Sequence, residues 1–207
     1  TINPAQKIAE IAHSVGAYFV LDAVQSAPHV PIDVQKIGCD FLLCSAYKFF
    51  GPHIGIMWGK YDLLQSLPAY KVRPSKDVTP YRWENGTPSF ETIAATAEAI
   101  RYLESLRGDD APMIDGYGGR QLHLKQAFHR LQSYEMQLAE KLISGLQAIK
   151  GVTIAGITDL DKVEDRVATV AFVKDGHTPQ SIVERLAEHQ YFHNQNYYSY
   201  LGKNLRI

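Results

Sequence analysis

Hydrophobic positions along the first hundred residues switch between helical spacing and short continuous runs. After Asn3-Pro4, a helix start, Ile8, Ile11, Ala12 and Val15 mark one apolar face before Gly16 ends the helix. Ala17-Tyr18-Phe19-Val20-Leu21 is a nearly continuous apolar run of strand length closed by Asp22, which predicts a strand covered on both faces. Val34 and Ile37 mark a short helical turn that Gly38 breaks. Phe41-Leu42-Leu43-Cys44 predicts a second buried strand running into Ser45-Ala46-Tyr47-Lys48, and Ile54 to Trp58 a third after a Gly51-Pro52 turn. A polar, Pro-containing stretch then extends to about residue 89, too long to be an idle connection.

Beyond it, Ile93, Ala97, Ile100 and Leu103 predict a helix over residues 91–106, ended by Gly108. A linker with Gly116, Gly118 and Gly119 leads to a long helix over residues 121–149, with Leu131, Leu138, Leu142, Leu146 and Ile149 in helical period. Strands over 152–155 and 167–173 and a helix over 179–189 capped by Thr178 complete the pattern. The order predicts an α/β domain over residues 1–119 and a small α+β domain over residues 120–207, the latter incomplete at its C-terminus.

Composition narrows the function classes. With 45% hydrophobic residues, the 207-residue chain can bury a sizeable core. Its formal charge of -1, from 21 basic and 22 acidic residues without a long run of either sign, lacks the basic footprint of a nucleic-acid binder. Small-molecule chemistry is the better expectation. No apolar stretch reaches the roughly 20 residues that span a bilayer. Cys39 and Cys44 would lie on opposite faces of a strand and are poorly placed to bond to each other, which suits a reducing compartment, the cytoplasm.

In open α/β sheets ligands bind at the carboxyl ends of the strands, and two such ends carry polar groups here, Asp22-Ala23-Val24-Gln25 and Ser45-Ala46-Tyr47-Lys48. Taken singly, an Asp after a strand is usually a turn residue and a Lys a solvated one. Lys48, however, is flanked by Tyr47, Phe49 and Phe50, and apolar company strips water from an ammonium and favours the nucleophilic amine. His123, His129, His189 and His193 form no recognised metal set, and no metal is expected. The aromatic and amide run from Asn194 to Tyr200 suits either a substrate mouth or ordinary packing.

The succession Asp-x-x-Gln at Asp22 to Gln25, Ser-x-x-Lys at Ser45 to Lys48, then Gly51-Pro52 and later Gly86-Thr87-Pro88 resembles the cofactor region of cysteine desulfurases and their class V aminotransferase relatives. The resemblance covers roughly residues 4–107 and rests on the joint order and spacing of these short motifs. It implies the pyridoxal 5'-phosphate (PLP) transferase fold of type I: a partial, mostly parallel sheet with helices on both faces, plus the small α+β C-terminal domain. It also implies a PLP enzyme acting on an amino acid through a Schiff base with Lys48. Asp22 would pair with the ring nitrogen, Gln25 with the ring 3-oxygen, and Val24 would pack beneath the ring. Ser45 would donate to the phosphate. Tyr47 stands where the family usually has a His, and its phenol is also a donor. Gly86-Thr87 resembles a segment that reaches the partner's cofactor phosphate, which implies a homodimer; as an ordinary turn, the same segment would make Thr87 the cap of the next helix.

The family's preceding half-sheet finds no counterpart in this sequence, so the chain is expected to be a fragment lacking the N-terminal half of the large domain. Leu205-Arg206-Ile207 would open the strand whose arginine, Arg206, meets the substrate carboxylate. Desulfurases need a mobile cysteine, and Cys39 and Cys44, beside or on a buried strand, suit structural roles instead. Desulfuration, transamination and elimination therefore stay open. A second reading is a dimerising fragment or pseudoenzyme that binds no cofactor. A third, a dinucleotide-binding domain, lacks any Gly-x-Gly-x-x-Gly after a strand.

Overall fold

The computed structural model describes residues 1–84 and 86–189, except the side chain of Val163, together with the backbone of Leu205–Arg206. The chain divides into two compact units, one from Pro4 to Leu131 and one from Gln132 to Ile207 with Thr1–Asn3.

In the unit from Pro4 to Leu131, helix α1 (Ala5–Ser14) leads to strand β1 (Val20–Asp22), the short helix α2 (Val34–Ile37) and strand β2 (Phe41–Ser45). Asp33 caps α2 by accepting the backbone N–H groups of Gln35 and Lys36, and Gly38 ends it at a φ of 77°, a left-handed conformation that suits glycine. A four-residue 3-10 turn, Ala46–Phe49, follows β2 and leads to strand β3 (Gly55–Gly59) and helix α3 (Tyr61–Ser66). Helix α4 (Phe90–Ser105) and the long helix α5 (Gly119–Gln147) come next, the latter belonging to this unit up to Leu131.

The sheet order is β1-β2-β3. β1 runs parallel to β2, with Asp22 opposite Leu43, and β3 runs antiparallel to β2, with Ser45 opposite Gly55. The connection through Gly51-Pro52 is too short for a crossover, so β3 folds back beside β2. Leu42 is buried on the covered face, where Leu21, Cys44 and Trp58 pack around Ala23 and Cys39. Ala46, Phe49 and Leu103 continue this core beneath the 3-10 turn.

The expected α/β class and partial sheet are present, and the details differ in instructive ways. The apolar run before Asp22 is not buried on both sides: alternation sends Leu21 into the core and leaves Val20 52% exposed. Leu43 and Met57, register partners on that same face, are 40% and 45% exposed. Helix α1 buries Ala9 and leaves Ile8, Ile11 and Val15 exposed, the reverse of the apolar face expected from the sequence. In α4 the buried positions are Thr96, Ala99 and Leu103, while Ile93 is exposed. In α1 a small side chain makes the contact and the bulkier ones point away, whereas α4 buries Leu103 beside its small residues.

The second unit carries the rest of α5, strands β4 (Val152–Ala155) and β5 (Ala171–Lys174), helix α6 (Pro179–Glu188) and strand β6 (Leu205–Arg206). They form an antiparallel sheet β4-β5-β6, whose core gathers Ile143, Leu146, Val170, Phe172 and Val183. Thr178 caps α6 as expected, in a reciprocal pair with Ser181. Strand β5 starts four residues later than the sequence pattern suggests. The buried Arg166 guanidinium takes the carbonyls of Val167 (3.1 Å), Thr169 (2.7 Å) and Ile157, so the chain before Ala171 serves the arginine rather than the sheet.

One buried acid organises the base of the first sheet. Asp40, 3% exposed, accepts the Phe19 N–H at 2.7 Å, His13 Nε2 at 2.8 Å and Lys60 Nζ at 2.7 Å. Its own N–H goes to Phe19 O at 2.9 Å, and its carbonyl accepts the Lys60 N–H at 3.0 Å. Burial by itself would raise the carboxyl's pKa; the hydrogen bonds from Lys60, Phe19 and His13 and the Lys60 charge outweigh it and hold it down to about 2. Because the folded value lies below the ordinary 3.8, this contribution to stability is complete above that value and is lost as pH falls through about 2. Asp40→Asn, which replaces charge-assisted bonds with neutral ones, should cost about 1.5–3 kcal/mol in urea unfolding at neutral pH and flatten the acid limb of the stability profile. An unchanged acid limb would show that Asp40 is not the titrating group.

Candidate functional site

Parallel pairing of β1 and β2 sets their carboxyl ends side by side. Asp22 lies opposite Leu43, and the Ala23 N–H continues the ladder to Leu43 O at 2.7 Å. Asp22 is exposed, and its Oδ1 accepts the Val24 N–H at 3.0 Å, which orients the carboxylate at the strand tip. Val24 is half-buried and Gln25 exposed in the turn that follows.

The β2 tip is shaped by the 3-10 turn. Ser45 occupies its cap position in extended backbone and makes no capping bond with its side chain, so the hydroxyl is not spent on the turn. Lys48 is half-buried. Of its aromatic neighbours, Phe49 points into the core at 7% exposure, whereas Tyr47 and Phe50 are 45% and 69% exposed. Lys48 Nζ lies over the Tyr47 ring, 4.9 Å from its centre.

Two backbone features hold this turn closed. Phe50 adopts a φ of 67°, a left-handed conformation that a bulky residue occupies at a cost, and its ring meets Tyr102 of α4 edge-on at 5.3 Å. The Gly51 N–H bonds to Ala46 O at 2.8 Å, and a Cβ on Gly51 would stand 2.7 Å from Ala46 Cβ. Ala46 N–H in turn donates to Ile54 O at 3.0 Å, which brings the start of β3 back to the same end of the sheet.

The structure therefore gathers Asp22, Val24 and Gln25 with Ser45, Tyr47 and Lys48 at one edge. Thr87 is exposed on the turn before α4, and Ser89, not Thr87, holds the N-cap position of that helix, which starts at Phe90. Arg206 lies in β6 opposite Ala171, in the other unit, and its side chain is outside the described residues. The run from Asn194 to Tyr200 and His193 also fall outside them. His53 escaped sequence reading: it follows Gly51-Pro52 in a turn, and only the folded chain shows it stacked on Tyr47.

A carboxylate, an amine, a hydroxyl and a phenol at one sheet end can receive a group with a basic ring nitrogen, a carbonyl and an anionic tail. Among the described residues no cluster suits a metal ion, and no helix is long and apolar enough to cross a membrane. An apolar cavity of about 280 Å³ lies on the covered face between Leu42, Trp58, Leu103 and Phe128, and none of the polar tip residues lines it. Neither cysteine is bonded in a disulfide, and burial raises both thiols above their usual range, most simply for Cys44, where burial is the sole cause.

Comparison with known proteins identifies the family. The model of the class V aminotransferases matches residues 1–112. A probable cysteine desulfurase of Synechocystis sp. is 33% identical over 183 residues, 83% of this chain and 38% of that protein. A probable cysteine desulfurase of Halalkalibacterium halodurans is 32% identical over 168 residues, 75% of this chain and 36% of that protein. The apo structure of a cysteine desulfurase from Thermococcus onnurineus superposes with a TM-score of 0.72 at 24% identity, covering 90% of this chain and 44% of that one, a likeness of fold. The fold is thus that of the type I PLP transferases. The chain belongs to the class V aminotransferase family, an enzyme family whose members use PLP. It spans well under half the length of these relatives.

The closeness of Gly51 to Ala46 is directly testable. Gly51→Ala should destabilise the unit by about 1–3 kcal/mol through overpacking against a fully buried residue. A wild-type urea midpoint would show that the turn has slack.

Proposed function

We propose that this chain carries the lysine half of a PLP site that acts on an amino acid, with Lys48 as the Schiff-base lysine. The supporting observation is the parallel register that places Asp22 beside the strand leading to Ser45 and Lys48. The residues fit the cofactor by chemistry. PLP, when bound, supplies an electron sink for charge developing at an amino-acid Cα. Lys48 would hold the cofactor through its ε-amine, and the same amine would move the proton at the substrate Cα. Asp22 keeps a proton on the ring nitrogen, its orientation set by the Val24 N–H. Gln25 would donate to the ring 3-oxygen and Val24 would supply an apolar contact to the ring, while Ser45 and Tyr47 would donate hydroxyls to the phosphate.

Other parts of the reading concern the assembled protein. Gly86 and Thr87, exposed on their turn, would reach the partner's cofactor in a homodimer. Arg206 would meet the substrate carboxylate. Relatives named as cysteine desulfurases make sulfur removal the leading reaction, but Cys39 is fully buried and Cys44 sits on β2. Neither suits attack on sulfur, so a desulfurase would need a cysteine from beyond these residues. Two unbonded thiols suit a reducing compartment, the cytoplasm.

The chain incubated with PLP should show an absorbance band that borohydride removes, with the label mapping to Lys48; Lys48→Ala should lose it. A reducible adduct retained in that variant would sink the assignment, and no adduct in the wild type would favour a chain that holds no cofactor by itself. Asp22→Asn should keep the label, but turnover in the assembled enzyme should fall about tenfold or more, the effect of roughly 1.4 kcal/mol at the transition state. Unchanged turnover would remove that role from Asp22.

A further inference from the structure

Two cavities adjoin within the unit from Pro4 to Leu131. One, of about 280 Å³, is the apolar cavity on the covered face of the sheet, walled by Leu42, Phe49, Trp58 and Leu103. The other, of about 330 Å³, opens between the start of α2 and the first turns of α5, with Gln35, Tyr117, Gln121 and Lys125 around an apolar floor. Ile32, Val34, Leu124 and Phe128 line both, so the two meet across a shared apolar wall. Lys125 Nζ lies over the Tyr117 ring, 4.0 Å from its centre, which steadies the ammonium without neutralising its charge. Asp33, the one acid among the lining residues, already accepts the N–H groups of Gln35 and Lys36 through Oδ1.

We propose that these cavities form a binding site for a small amphiphilic carboxylate, whose hydrocarbon body fills the apolar cavity and whose head meets Lys125. Close-packed interiors hold few voids larger than a water molecule, so an apolar space of this size is exceptional. Such spaces stay dry and take apolar guests; a hole of roughly 150 Å³ accepts benzene. Together the two cavities reach the scale of small-molecule sites and share their character, an apolar lining with a few polar groups converging at one end. One cation with one acid nearby selects a head of single negative charge. A doubly charged phosphate would meet more repulsion from the Asp33 carboxylate. None of Asp22, Ser45 and Lys48 lines either cavity, so the proposal goes beyond the cofactor reading and stands without it.

Trp58 gives the apolar cavity its own reporter. In the 207-residue chain, ω-bromooctanoate below its micelle concentration should quench tryptophan emission saturably. Trp58→Phe should remove that quenching, because Trp83, the other tryptophan, lines neither cavity. Lys125→Gln should weaken binding of the carboxylate about twofold to fivefold, the worth of one partly exposed charge contact, and leave binding of the uncharged ω-bromooctanol unchanged. Ala27→Leu, which fills part of the apolar cavity, should weaken both. Octanoate without bromine should raise the wild-type urea midpoint, as a ligand of the folded state does. Quenching that does not saturate, quenching that survives Trp58→Phe at full size, or an unmoved urea midpoint overturns the site. Equal binding of acid and alcohol, with no loss in Lys125→Gln, overturns the anionic head and its pairing with Lys125. Should Ala27→Leu fail to fold, Trp58→Phe and Lys125→Gln still decide the case.

Discussion

The carboxylate of Asp40 ties together the elements on which the sheet depends. It takes a hydrogen bond from α1 through His13, from the approach to β1 through Phe19 and from the end of β3 through Lys60, and it sits at the start of β2. A buried acid left without these partners would cost more than the fold gains from the short three-stranded ladder, so the four segments must arrive together. With the base pinned, the register of β1 on β2 is set, and a one-residue slip would turn Leu21 and Leu42 out of the core. The carboxyl ends are then side by side by geometry alone. Structural charge lies at one end of the sheet and the candidate chemistry at the other.

That far end is built to be stiff where the backbone turns and open where side chains project. Ala46 and Phe49 anchor the 3-10 turn in the core. Phe50 in a left-handed conformation and Gly51 pressed on Ala46 close it within a few residues. Between these anchors Tyr47 and Lys48 face outward. Such strain persists only where surrounding contacts over-determine it, here the Phe50–Tyr102 edge contact and the Gly51 to Ala46 hydrogen bond. The result is a half-buried lysine on a rigid rim.

Much of this was legible in the sequence, and the gaps have physical causes. The order of elements, the Thr178 helix start and the pairing of chemistry with strand ends follow from local rules that act over a few residues. Helix faces were read less well: Ile8, Ile11 and Val15 have the right period but lie outward, because small residues such as Ala9 make the contact. The late start of β5 depends on Arg166 drawing backbone carbonyls to itself. The Asp40 knot and the Tyr47–His53 stack join positions whose proximity is a product of the fold. Hydrophobic periodicity carries no signal for such polar and aromatic partnerships.

The same geometry separates two questions that the family name joins. Holding PLP requires an amine, an acid and phosphate donors at one sheet end, and on the proposed reading Lys48, Asp22 and Ser45 meet that need from residues a short ladder already aligns. Taking sulfur from a substrate requires in addition a thiolate that can travel. Cys39 is immobile in the core beside Ala23 and Leu42, and Cys44 faces the covered side of β2, opposite Ile56. Burial favours the protonated thiol in both, which opposes the nucleophilic form. On that same reading the lysine end of the site would supply cofactor chemistry common to transamination, elimination and desulfuration. Choice among those reactions turns on a group other than these two thiols.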